Sequence, residues 1–289
     1  MPSHGWLTMS ELTTLHPYNA ETVTRYVAAV RGDGAPGALL PVAPGWIERE
    51  IDRARRGYER GLAGNEAGAN AVSYGLARLL AAVEPVFLTP GAGFTQFEAR
   101  IDRGIGMLLR PPSRLFGDGG LETAAARAMP IRLDASGGSM GGAFIPPHLV
   151  PLWRDLLEQR LDRLARRMTE ADLDAPALLG LLLETARYAA GHGLGLYEAV
   201  DVFVPGVPES EPPGMRLAVP NRKRLERGLR QRLETASRPP KPPGLLARLL
   251  GRGAAASEDL NGRHPRKVHD VTPPPDPGWR EGRDEGGTV

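Results

Sequence analysis

The run Gly137-Gly138-Ser139-Met140-Gly141-Gly142 comes closest, in this sequence, to a spacing that does chemistry. G-x-S-x-G sets a serine among glycines that tolerate a sharp turn, so its hydroxyl stands clear and nearby N–H groups can receive an oxyanion. Such a serine needs a base and an acid that orients the base. Asp201 with His264 or His269 keeps the order serine, acid, histidine, and His192 with Asp172 or Asp174 is the alternative nearer in the chain. The same glycines, or Gly117-Asp118-Gly119-Gly120 ahead of Leu121, could offer backbone N–H groups to an anion. For a metal, Glu184, His192, Glu198 and Asp201 are the residues that could converge. The six histidines (4, 16, 148, 192, 264 and 269) show no pair at helical ligand spacing before position 205, so no metal site is expected.

The serine run resembles the nucleophile elbow of the α/β-hydrolases. The resemblance covers six residues and a possible strand at 131–134, and it implies acyl transfer at Ser139 on a parallel sheet. An elbow serine opens a helix, whereas Pro146 and Pro147 follow within eight residues, and the preceding 130 residues read as helices. We therefore read the run as a glycine-rich connector, with Ser139 as the alternative catalytic residue. Neither glycine run continues into Gly-Lys-Ser/Thr, and neither forms G-x-G-x-x-G behind a convincing strand.

Missing residues exclude more. The chain of 289 residues has no cysteine, which removes disulfides, thiolate nucleophiles and Cys-ligated zinc or iron–sulfur centres. Its only lysines are Lys223, Lys241 and Lys267, so the first 205 residues lack a phosphate-loop or Schiff-base lysine. No cofactor is expected, and the reading leans away from an enzyme.

The elements that would position these residues read as helices. Ile47, Ile51, Ala54, Tyr58 and Leu62 form one apolar stripe over 45–62. Val72, Leu76, Leu79, Leu80 and Val83 mark a second helix over 66–84, ended by Pro85. Thr95 and Glu98 have capping-box spacing, with Phe97, Ile101, Ile105 and Leu108 behind them and Pro111-Pro112 as the stop. A helix over 147–168 and another over 175–190, capped by Asp174 and apolar all round, form a hairpin with the second at the centre. Residues 194–203 are ambiguous between helix and strand, and the strand candidates 131–134 and 202–204 are short. The fold class predicted is all-α: an irregular multi-helix bundle with glycine- and proline-rich connectors and a disordered C-terminal tail.

The expected boundary lies at 205. Residues 206–289 hold 16 Lys/Arg against 11 Asp/Glu, a net +5 in a chain of +2, which leaves the first 205 residues at −3. They also hold 13 of the 28 prolines, a composition that buries too little surface to offset ordering. Arg222, Lys223, Arg224, Arg227 and Arg230 form a candidate anion-binding segment, helical if 222–235 folds. Within a short amphipathic segment at 244–251, Leu245, Leu246, Leu249 and Leu250 form a candidate partner-binding cluster behind a proline-rich spacer. Residues 1–12 carry no secretory pattern, and the apolar run 175–196 is broken by Glu184, Arg187 and His192, so no transmembrane segment is expected. The sequence points to a cytoplasmic interaction protein with a protein partner. Nucleic acid or an anionic membrane surface at 222–232 is the other partner, and a hydrolase at Ser139 the other function.

Overall fold

The strand Thr13–Tyr18 (β1) runs through the middle of a sheet that the all-α reading does not contain. The computed structural model describes residues 12–35, 44–129, 142–204 and 207–238. Among them the sheet continues with Pro85–Leu88 (β2), Phe144–Ile145 (β3), Gly195–Val200 (β4) and Arg216–Ala218 (β5), in the order β3-β4-β1-β2-β5. β1 is antiparallel to both β4 and β2, β3 is antiparallel to β4, and β5 joins β2 in parallel. The fold is mixed α/β.

Burial explains why the strands escaped notice. All six residues of β1 and all six of β4 are buried, so neither strand has a wet face and neither alternates apolar with polar. β1 even contains Pro17. The N–H of Thr89 reaches the Thr13 carbonyl at 2.9 Å, so odd-numbered residues of β1 turn their backbone groups toward β2. The pairing with β2 covers only Thr14 and Leu15 of β1, and Pro17 lies beyond that paired stretch, where its missing N–H breaks no ladder bond.

Helices cover both faces. Thr14, His16, Tyr18, Tyr197 and Phe144 look toward Ala20–Arg31 (α1), Pro44–Leu62 (α2) and Glu66–Ala81 (α3). The short Phe94–Arg100 (α4) and Arg103–Gly106 (α5) serve the other face, while Pro112–Asp118 (α6) and Thr123–Arg127 (α7) complete the first layer. Leu15, Phe87, Ile145 and Leu196 bury their side chains against that other layer, completed by Val150–Gln159 (α8), Leu161–Glu170 (α9), Ala175–Gly191 (α10) and Arg227–Ala236 (α11). A helix–sheet–helix sandwich results.

Several predicted helices are divided. The one expected over 147–168 begins as a 3₁₀ turn, Pro147–Leu149, and breaks at Arg160 between α8 and α9. There the Arg160 guanidinium donates to buried Asp102 at 2.8 Å, while Asp102 also accepts the Gly104 N–H at the start of α5. α10 agrees with its expectation closely, with Asp174 accepting the Ala177 N–H. Of the strand candidates, 202–204 is a bend following β4, and 131–134 lies outside the described residues.

The tail placed beyond 205 also contributes to the fold. β5 adds the fifth strand, and α11 buries Leu233 fully against the second core. The described residues belong to one compact unit bounded at Pro239. Among them no helix is long and apolar enough to cross a membrane.

Candidate functional site

Three places hold side chains with chemistry. Glu198 is the first, and the sequence reading had placed it only among loose metal candidates. It sits in the middle of β4 with no exposed surface. Its carboxylate accepts the Thr95 hydroxyl at 2.8 Å, the Thr95 N–H at 3.2 Å and the Ala143 N–H at 3.2 Å. Thr95 is therefore not a capping-box residue. Gly93 is the N-cap of α4 and has no side chain to offer, so the acid of a distant strand closes the helix start instead. Gly142 lets the chain come this close, since a Cβ there would overlap the Glu198 carbonyl oxygen. Burial pushes the Glu198 carboxyl up to about 7, against the pull of its donors. A groove lined by Thr95, Glu98, Ala99 and Arg103 opens nearby, but Glu198 itself does not line it.

His16 is the second, on the opposite face of the sheet. Its Nε2 lies 2.8 Å from the Thr14 hydroxyl, which in turn donates to the Ala199 carbonyl at 3.1 Å. A hydroxyl has one proton to give, so Nε2 carries the hydrogen and Nδ1 is a bare acceptor. Nδ1 has no partner among the described residues, and burial pushes the imidazole down to about 3. Tyr197, directly across from His16, bonds to Ser73, and burial raises its phenol. All of these groups are fully buried. They are core polar groups.

The third is a solvent-open groove of about 550 Å³ between α10 and residues 219–229. Gly180, Leu181, Tyr188, Val219, Leu225 and Leu229 supply its apolar surface. Leu225 packs into the space left by Gly180, where a Cβ would overlap its methyl group. Glu184, Arg187, Arg224 and Glu226 stand along the rim. No family model, no curated protein and no solved structure matches this chain. The site must be read from its own geometry.

Of the predicted anion-binding residues, Arg222 is occupied, donating to Asp174 at 2.8 Å. Arg232 is held in the same way by Asp162. Lys223, Arg224, Arg227 and Arg230 make no ion pair with a described residue. Ser139 and the cluster Leu245, Leu246, Leu249 and Leu250 lie outside the described residues. The chain leaving the serine run enters strand β3 through Gly142 and Ala143, where a nucleophile elbow would open a helix. His264 and His269 lie outside the described residues, and His192 makes no hydrogen bond or ion pair with Asp172 or Asp174. Asp201 turns in the left-handed region (φ 52°) and accepts the Leu12 N–H at 2.9 Å, while exposed His192 ends α10 stacked on Tyr188. No group of three or more such residues among the described ones could hold a metal ion, so Glu184, His192, Glu198 and Asp201 do not converge.

The groove residues were missed, although a signal existed. Leu225, Leu229 and Leu233 recur every four residues through the basic segment, which is the spacing of a helix docked along one stripe.

Proposed function

We propose that this chain is a cytoplasmic interaction protein that binds a protein partner. The observation that carries the reading is the groove between α10 and 219–229, where Val219 is exposed and Tyr188, Leu225 and Leu229 are half-buried among charged side chains. Apolar surface gathered in a concave site beside polar groups is the usual build of a protein-binding patch. The titratable side chains that would suit catalysis give it no rival. Glu198 and His16 are sealed in the sheet and can touch no substrate in this conformation. The leucine cluster Leu245, Leu246, Leu249 and Leu250 is a second docking element in the same proposal, supported by its spacing alone.

A photo-crosslinking residue placed at Val219 or Leu229 in the full chain, in its own cells, tests the proposal. A discrete protein adduct is expected at both positions and not at Met107, which is 79% exposed and lines no part of the groove. Identical adduct patterns at all three positions would remove the reading. Deleting residues 239–289 then decides the share of the leucine cluster: the body's thermal melt is expected to stay unchanged while partner capture is lost.

A further inference from the structure

Glu198 has no counter-ion among the described residues. Its carboxylate is held by hydrogen bonds alone, and the neighbours it faces carry no charge: Thr13 and Leu15 from β1, Ala143, and Phe94 and Thr95 from α4, with Trp153 of α8 behind Phe94. Tyr197 and His16 stand on the other face of the sheet, where burial keeps both uncharged by raising the phenol and lowering the imidazole. Glu98 and Arg103, which line the groove beside Thr95, are exposed.

Little separates this acid from water. Thr95 lines the groove, and its hydroxyl is also the donor 2.8 Å from the carboxylate. α4 has seven residues, and no side chain of its own caps it, because its N-cap is Gly93. A Cβ at Gly93 would overlap Glu198 Oε1, so the first turn rests directly on the acid.

We infer that ionisation of Glu198 opens the first turn of α4 and lets water from the groove reach the carboxylate, and that protonation closes it. A buried carboxylate without a cation is costly when charged, and hydration removes that cost. Any opening that wets the group is therefore favoured once its proton has left. The donors on Thr95 and Ala143 offset part of the cost, but burial outweighs them and holds the carboxyl at about 7. The open form thus gains between pH 4.5 and about 7 and levels off above. A short helix that opens alone is the ordinary unit of local unfolding. The device is separate from the leucine-lined groove and does not depend on that groove's binding a protein.

Amide exchange in the full chain, resolved by NMR and corrected for the intrinsic rate, tests this. From pH 5 to 7.5 the opening constant at Thr95 is expected to rise by about fiftyfold, the factor that a carboxyl moved from 4.5 to about 7 gives. In Glu198→Gln it should be small and flat. Low denaturant should leave exchange at Thr95 unchanged while it speeds exchange at Leu182 in α10, because the opening is local. A Thr95 opening constant that ignores pH, the same slope in Glu198→Gln, or a denaturant response equal to that of Leu182 overturns the inference. The carboxyl carbon shift of Glu198 needs no variant: it is expected to titrate at about 7, and a group already ionised at pH 5 overturns the inference as well.

Discussion

Leu15 and Glu198 are directly opposite each other in the β1–β4 ladder, on one face of the sheet and both fully buried. An apolar side chain and an acid thus share the same dry environment, and hydrogen bonds alone make the acid tolerable. Its folded-state affinity for a proton exceeds that of the unfolded chain. Between pH 4.5 and about 7 the folded protein keeps a proton that the unfolded protein has released, so raising pH through this window favours unfolding. The stabilisation is fully present below 4.5 and lost as pH passes 7. At about 1.4 kcal/mol per unit this amounts to about 3 kcal/mol. Glu198→Gln should therefore gain on the wild type by about that much between pH 4.5 and 8. Parallel curves from denaturant titrations at the two ends would contradict the assignment.

His16 works in the other direction. Its folded form stays neutral down to about 3, while the unfolded imidazole takes up a proton near 6.5. The stability it supports is complete above 6.5 and disappears as pH falls toward 3. Between 4.5 and 6.5 its slope opposes that of Glu198, so the contribution of the pair is flat there. His16→Asn should remove the acid-side decline without changing the alkaline side. Chemical denaturation across pH 3–8 reads both limbs, and an unaltered acid limb would disprove the role given to His16.

Gly142 and Gly117 make a matched comparison. At Gly142 an added methyl group would run into the backbone of β4 at Glu198, which cannot move aside without separating strands. Gly142→Ala should cost at least the upper part of about 1–3 kcal/mol. Gly117 is exposed on α6 with nothing within 4 Å, so Gly117→Ala should be neutral or gain up to about 1 kcal/mol. Thermal melts of both variants measure the difference, and equal shifts would mean that the approach to Glu198 is not tight.

Glu50 and Arg78 form a buried ion pair on the other side of the sheet, with Glu50 Oε2 3.1 Å from Arg78 Nε and 2.9 Å from Arg53 Nη1. Arg78 spans the groups around it, donating to the carbonyls of Val202 and Ser210 while lying 5.8 Å from the ring centres of Trp46 and Tyr74. Removing the acid leaves that guanidinium uncompensated, so Glu50→Ala is expected to cost about 3–5 kcal/mol. The double variant Glu50→Leu/Arg78→Met should recover much of it. A double variant as unstable as the single one would show that the carbonyl contacts of Arg78 matter more than the pair.

By itself the sequence determined where three of the long helices would form. The stripes of α2 and α3, the Asp174 cap and the all-round apolar surface of α10 are local patterns of residue type, and helices are held by bonds within one segment. It also determined the chemistry that is absent, since without cysteine no tertiary arrangement can supply a thiolate. Only the tertiary structure decided the sheet and the sites. A strand is stabilised by partners far along the chain, and with both faces covered β1 and β4 carry no alternation to betray them. Thr95, Ala143 and Glu198 meet from segments up to 103 residues apart, and no spacing between them encodes the encounter. The groove depends likewise on Leu225 and Leu229 returning to α10 after β5 has joined the sheet. Their four-residue rhythm was legible, but its meaning required the helix against which it packs.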